Sequence, residues 1–165
     1  MELRELIRQH QRVLLAALMK SAAHSLLKLG ADPKYVGGAL GFLAVLHTWS
    51  GALVYHPHVH CLVPGGAFNK KGQTWHRSRD DYLVPVKALS PIFKATFFDM
   101  AAKELPDVSL PSTTRQKKWV VYSKPTAQSP EKVVEYLGRY VFRSAITNAS
   151  ILKVGEKTVT LRYKK

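Results

Sequence analysis

The amino-acid sequence predicts an α+β fold, a mainly antiparallel sheet flanked by helices. Three observations lead there. An apolar period of 3.6 residues runs through residues 3–29. Serine–proline pairs at 90–91 and 129–130 each stand at the head of a helical stretch. Strand-length segments lie between and after these helices without the regular strand–helix–strand repetition of a parallel sheet.

In the first stretch Leu3, Leu6, Ile7, Val13, Leu14, Ala17, Leu18, Leu26 and Leu29 roughly follow the helical period, and Gly30 is the expected stop. Residues 41–49 (GFLAVLHTW) are an apolar run of strand length, closed by a Ser50-Gly51 turn. Residues 56–64 alternate, with Pro57, Val59, Cys61 and Val63 to one side and His56, His58, His60 and Leu62 to the other. Such a pattern describes a half-buried strand whose polar face is made of imidazoles. Pro64-Gly65-Gly66 ends that strand in a turn, and residues 69–72 (NKKG) form a hairpin loop before a short strand around Trp75. Residues 82–86 (YLVPV) read as an edge or irregular strand, since Pro85 cannot donate to a ladder.

Ser90 and Pro91 are the expected N-cap and first residue of a helix reaching about Leu105. A polar loop at 106–116 and a strand at 118–123 (KWVVYS) follow. Ser129 and Pro130 open another helix to about Ala145, and ILKV with TVTLRY closes the chain as a hairpin turning at Gly155-Glu156. No internal repeat, low-complexity stretch or linker divides the 165 residues, so a single domain over 1–165 is expected.

Charge gives the first functional indication. Twenty-five Lys and Arg against eleven Asp and Glu leave a formal +14. The excess is uneven: residues 111–165 carry twelve basic and three acidic residues (+9), residues 1–110 thirteen and eight (+5). A polyanion partner is favoured through counterion release. Nucleic acid is preferred over membrane because no helix joins a wholly basic face to a broad exposed apolar one. No apolar run reaches the roughly 18 residues of a bilayer span. The first residues, MELRELIRQHQR, read as a helix start and not a signal peptide. The single cysteine, Cys61, excludes an intramolecular disulfide and fits a reducing cytoplasm.

Four of the seven histidines lie between residues 47 and 60. His58 and His60 share a strand face with a separation of roughly 6.6 Å along the strand, from which two imidazoles can converge on one metal ion. His56 lies on that face, twice as far from His60. His47 is the preferred third ligand, because residues 49–55 connecting two antiparallel strands bring it opposite His58, at a Cβ separation of about 5 Å. A one-residue slip would turn it away. His10, His24 and His76 read as surface or hydrogen-bonded core residues. On softness alone, imidazoles favour zinc or another late first-row ion over magnesium.

Tyr136 and Tyr140 are one helical turn apart in YLGRY. A wheel gathers Val134, Leu137, Val141 and Ala145 on a buried stripe and sets Tyr136 among Lys132, Arg139 and Arg143, with Tyr140 at the border. Cations favour a phenolate and would hold a phosphate beside it. Tyr136 is therefore a candidate nucleophile, Tyr140 a second one, and Lys132, Arg139 and Arg143 candidate DNA-binding residues. Tyr35, Tyr55, Tyr82, Tyr122 and Tyr163 read as packing residues. Trp75 and Trp119 are conceivable base-stacking platforms, with core packing as the default for both.

Taken together, HPHVHCLVPGG preceded by LHTW, then KWVVY and EYLGRYVFRSAITN, resemble the IS-ninety-one-type two-tyrosine rolling-circle transposases of bacteria. These are members of the histidine-hydrophobic-histidine (HUH) nuclease superfamily, whose motif is matched by His58-Val59-His60. The likeness runs from about residue 10 to the C-terminus. It implies an antiparallel palm related to the ferredoxin-like fold, with the tyrosine helix laid across its histidine face. It also implies magnesium or manganese as the ion, Tyr136 and Tyr140 as the paired tyrosines, and single-stranded DNA at transposon ends and target DNA as partners. Conjugative relaxases place the tyrosine ahead of the histidines; here it follows. Phe142 stands where many such transposases carry histidine. With one cysteine the chain lacks the zinc-binding N-terminal module of full-length relatives, so a nuclease-domain fragment or minimal element is expected, and self-assembly into a homo-oligomer stays open. A plasmid or phage replication initiator with the same chemistry and a non-catalytic nucleic-acid-binding domain are the alternatives.

Overall fold

The apolar period at the N-terminus folds as two helices where one is predicted: α1 (Leu3–Gln9) and α2 (Gln11–Gly30). His10 leaves the helical region at φ −121°, ψ 45°. The bend lets Leu6 and Ile7 of α1 be buried together with Leu14, Ala17 and Leu18 of α2. The computed structural model describes residues 2–50, 52–69, 74–79, 83–125, 129–141 and 146–162; at Pro130, Tyr136, Leu137, Arg139, Tyr140 and Val141 it describes the backbone alone. The architecture is α+β, with small two-stranded sheets among helices, as predicted. Two compact units are distinguished, Met1–Leu46 with Val59–Pro125 and His47–His58 with Thr126–Lys165.

In the first unit α2 packs against α3 (Val86–Glu104). The buried face of α2 includes Ser21 and Ser25, whose hydroxyls donate to the carbonyls of Ala17 and Ser21, each at 2.6 Å. Small side chains and satisfied hydroxyls keep this face thin without leaving a buried donor unpaired. Phe97, Phe98 and Ala101 are the buried residues of α3 in its C-terminal half. By length and composition α2 could cross a membrane, although no unbroken apolar run spans it. Lys20 and Lys28 interrupt it, and its buried face packs against α3, as a core helix does.

Of the strand expected at 82–86, Tyr82 lies outside the described residues, and Leu83–Val86 form no strand. Leu83 and Val84 instead pack into the core, and Pro85 (φ −71°, ψ 122°) precedes the first residue of α3. Pro85 therefore supplies the extended entry to the helix that the sequence assigns to Ser90. Pro91 falls inside α3, where its missing N–H forfeits one bond to the preceding turn. Ser90 donates its hydroxyl to the carbonyl of Trp119 at 2.6 Å. Residues 118–123 alternate like a strand, with Trp119 against Phe93, Phe97 and Phe98 and Val121 against the core. Val120 and Tyr122 point to solvent, which corrects the packing role expected of Tyr122. Among the described residues no ladder forms here. A short helix, α4 (Ser112–Gln116), occupies the expected polar loop, and Lys94 closes it by donating to the carbonyls of Arg115 and Lys117 at 2.7 and 3.2 Å.

β1 (Leu43–Trp49) pairs with β2 (Tyr55–Leu62), and β3 (Gly66–Phe68) is antiparallel to β4 (Trp75–Arg77). Ala67 of β3 is fully buried with Val36 and Leu40. The second unit adds α5 (Pro130–Val141) and the antiparallel hairpin β5 (Ile151–Val154) and β6 (Val159–Leu161). A methyl group on Gly38 would run into the backbone carbonyl of Phe68. That carbonyl cannot swing aside, because Ala39 and Phe68 exchange both hydrogen bonds at 2.6 and 3.2 Å. Gly38→Ala is therefore expected to cost about 1–3 kcal/mol, seen as a lower urea midpoint at unchanged slope.

Candidate functional site

Residues 50–54 connect β1 to β2, too few for a parallel crossover, so the strands run antiparallel. Ser50 N–H donates to the Val54 carbonyl at 2.9 Å and Leu53 N–H to the Ser50 carbonyl at 3.0 Å. Leu53 takes the left-handed region, φ 58°, to complete the turn. A fixed turn fixes the register, and register decides which side chains meet. Cys61 packs on the core of the first unit. The alternation of β2 then puts His58 and His60 on the opposite face.

His47 is the buried member of the group, 6% exposed, while His58 and His60 are half-buried. The His47 and His58 rings meet edge-on, centroids 5.5 Å apart at 89°. Trp49, two residues along β1, stacks on His47 at 5.0 Å and 17° and holds its ring plane. This orienting role was missed in the sequence, although the i, i+2 spacing on a strand was there to suggest it. The donor nitrogens of His47, His58 and His60 all lie within 4.8 Å of one another.

These residues fit a metal ion. Imidazole nitrogens bind at about 2.0–2.2 Å, which places neighbouring donors roughly 3–3.5 Å apart. From within 4.8 Å, rotation of the rings about their side-chain bonds would be needed to reach that spacing. Among the described residues three donors are brought together, the number that suffices when a site keeps a position for water or substrate. His58 Nδ1 is 2.6 Å from the His56 carbonyl. A carbonyl only accepts, so Nδ1 carries the proton and Nε2 the lone pair. His56 thus contributes its backbone, and its exposed side chain is outside the group of three.

Partial burial holds the His58 imidazole below its usual pKa; the hydrogen bond to His56 opposes this, and the neighbouring His56 and His47 rings add to the lowering. A ring kept neutral is in the form that ligates. Burial pushes the Cys61 thiol up to about 11, which together with its inward direction removes it as a soft ligand.

The tyrosines lie on α5, which starts at Pro130 as predicted. The Ser129 hydroxyl and the backbone amide of Glu131 hold the exposed Glu131 carboxyl below the usual range. The side chains of Tyr136, Arg139 and Tyr140 lie outside the described residues, and so do Phe142, Arg143 and Ala145 altogether. Lys132 is exposed. Val134, expected on a buried stripe, is 68% exposed, whereas Val133 is half-buried. The wheel followed the run of apolar positions and missed that the adjacent valine is the one turned inward. By helical spacing, positions 136, 137 and 140 share the side of Val133. His47, His58 and α5 belong to the same compact unit despite their distance in sequence.

Comparison with known proteins adds to this geometry. A family model described as "Putative transposase" matches residues 41–165, from the start of the histidine hairpin to the end of the chain. The chain is 33% identical to "Putative transposase y4qJ" of Sinorhizobium fredii, over 94% of its own length and 44% of that protein. It is 26% identical to the transposase for insertion sequence element IS801 of Pseudomonas savastanoi pv. phaseolicola, over 86% of its length and 37% of that protein. The chain therefore spans less than half the length of these two relatives. No solved structure matches it.

Proposed function

The chain belongs to the family of two-tyrosine transposases, and from that premise we propose that it nicks single-stranded DNA at element ends and transfers the cleaved strand in rolling-circle transposition. The observation that carries the proposal is the convergence of His47, His58 and His60 on one antiparallel hairpin. The likeness to the HUH superfamily supports magnesium or manganese as the ion. We take residues 1–165 as one nuclease domain, acting on DNA in the bacterial cytoplasm.

His58 and His60 would hold a divalent ion, with His47 as the third donor, and the ion would supply electrostatic stabilisation of the charge that builds on the scissile phosphate. The His56 carbonyl and the Trp49 ring keep two of these imidazoles oriented. The phenol oxygen of Tyr136 attacks the phosphorus in line, forming an O–P bond as the bond to the 3′ oxygen breaks. The DNA 5′ end is left on Tyr136 as a phosphotyrosine, and the departing 3′ oxygen takes up a proton. One phosphodiester replaces another, so strand transfer needs no nucleotide hydrolysis. Tyr140 serves the second cleavage. Lys132, Arg139 and Arg143 hold the strand's phosphates beside these tyrosines.

The test is incubation of labelled single-stranded DNA carrying an element end with the protein and magnesium or manganese. A covalent protein–DNA adduct on a denaturing gel, abolished by chelator, is the expected result. Absence of both adduct and nick with either ion would overturn the proposal. Binding should also weaken steeply with salt, at a log–log slope of about −0.7 per phosphate contact on single strands. Replacing Arg139 and Arg143 together with Gln should flatten that slope by about 1.4 if both touch phosphate. An unchanged slope would mean that the strand runs elsewhere.

A further inference from the structure

The β3–β4 hairpin takes no part in the chemistry above, yet it presents an aromatic surface to water. Its register pairs Gly66 with Arg77, Ala67 with His76 and Phe68 with Trp75. Alternation therefore puts Gly66, Phe68, Trp75 and Arg77 on one face. The other face carries Ala67, fully buried against Val36 and Leu40, so the aromatic face is the outward one. Phe68 and Trp75 meet at 5.1 Å and 72°, and they remain 48% and 45% exposed. A Cβ on Gly66 would fall 2.5 Å from Cζ2 and 2.6 Å from Cε2 of Trp75, so the indole lies over bare backbone.

The backbone beneath is fastened on both sides. Phe68 and Ala39 exchange two hydrogen bonds, Ser78 N–H donates to the Gly65 carbonyl at 3.0 Å, and Asn69 N–H donates to the Thr74 carbonyl at 2.9 Å. Arg77, on the same face, and Arg79 are both exposed. Trp119, by contrast, is enclosed by three phenylalanines.

We infer that Trp75, braced by Phe68 and Gly66, is a base-stacking platform for single-stranded DNA, with Arg77 and Arg79 drawing the phosphates alongside. The inference rests on the DNA-cleavage reading and deepens it by adding a contact away from the histidines. An indole half in water offers a π-face to any base, and stacking of this kind is tolerant of sequence. Charge complementarity favours a polyanionic partner over an apolar protein surface.

The experiment is fluorescence anisotropy with labelled oligothymidylate and an abasic strand of equal length, using wild type, Trp75→Leu and Trp75→Phe. Wild type should prefer the base-bearing strand by roughly tenfold, the scale of one stacked base. Trp75→Leu should lose that preference, Trp75→Phe should restore most of it, and the salt slope should be the same in all three. Thermal melts establish that the variants fold. Equal affinity of folded Trp75→Leu and wild type for oligothymidylate would overturn the platform while leaving the cleavage reading intact. No binding of either strand by wild type would instead remove the DNA reading itself. If Trp75→Leu changes only the sedimentation behaviour of the protein, the aromatic face is a protein contact and the inference fails.

Discussion

Replacing His58 and His60 together with alanine is expected to abolish metal-dependent cleavage of single-stranded DNA while the protein stays folded. Both rings are only half-buried, and β2 is anchored from its other side by Cys61. Loss of a partner that only orients a metal ligand typically costs 10–100-fold, so losing a direct donor should cost more than about 100-fold, and losing two should leave only background. Calorimetry with manganese should show the same order, with wild-type binding and no detectable heat from the double variant. His47→Ala should also impair binding, but it removes a buried ring stacked between Trp49 and His58. Its effect must be separated from a stability loss of about 1–3 kcal/mol by a parallel melt. His56→Ala should be mild, since His56 serves through its carbonyl, which alanine retains. Cleavage at wild-type rate by the His58/His60 double variant would remove the metal centre from the mechanism. A severe His56→Ala with a harmless His47→Ala would show that the third donor had been misplaced.

The grouping of His47, His58 and His60 was legible because strand geometry is short-range. A period of two puts His58 and His60 on one face whatever surrounds them. A connection of a few residues forces an antiparallel return, which brings His47 to His58. Alternation also places Trp49 on the His47 face, but the stacking of the two rings and the tautomer set by the His56 carbonyl depend on ring positions finer than a face.

Elements whose limits depend on tertiary packing were less legible. Nothing local marks His10 as a break; α1 and α2 separate because both must bury leucines. Ser90-Pro91 carries the signature of a helix start, but Pro85 stands one turn earlier with suitable dihedrals, and Ser90 finds its partner at Trp119, far along the chain. Residues 118–123 alternate like a strand, yet the inward residues are taken up by phenylalanines of α3 and not by a neighbouring ladder. Two tryptophans that the sequence could not tell apart have opposite fates for the same reason. Trp119 falls opposite three rings, whereas Trp75 falls opposite a glycine and one exposed phenylalanine.

Tyr136→Phe should eliminate the first covalent protein–DNA adduct, whereas Tyr140→Phe should still form it and fail to complete strand transfer. The asymmetry comes from neighbours on α5. Lys132 lies one turn before Tyr136 and Arg139 three residues after it, so position 136 has a cation on either side along the helix. Position 140 has Tyr136 one turn before it and Arg143 after it. Two flanking cations favour the phenolate and hold the attacked phosphate, which prepares Tyr136 for the initial step. By helical spacing both tyrosine positions lie on the side of Val133, away from the exposed Val134. Removing one hydroxyl leaves the ring and its packing, so a change in adduct reports chemistry and not folding. The measurement is a denaturing gel with end-labelled DNA, followed by peptide mapping of the modified residue. Adduct on Tyr140 in the wild type reverses the proposed order. Equal adduct from both single variants makes the tyrosines interchangeable and strips the flanking cations of any directing role. Adduct surviving in the double variant would take the nucleophile off this helix altogether.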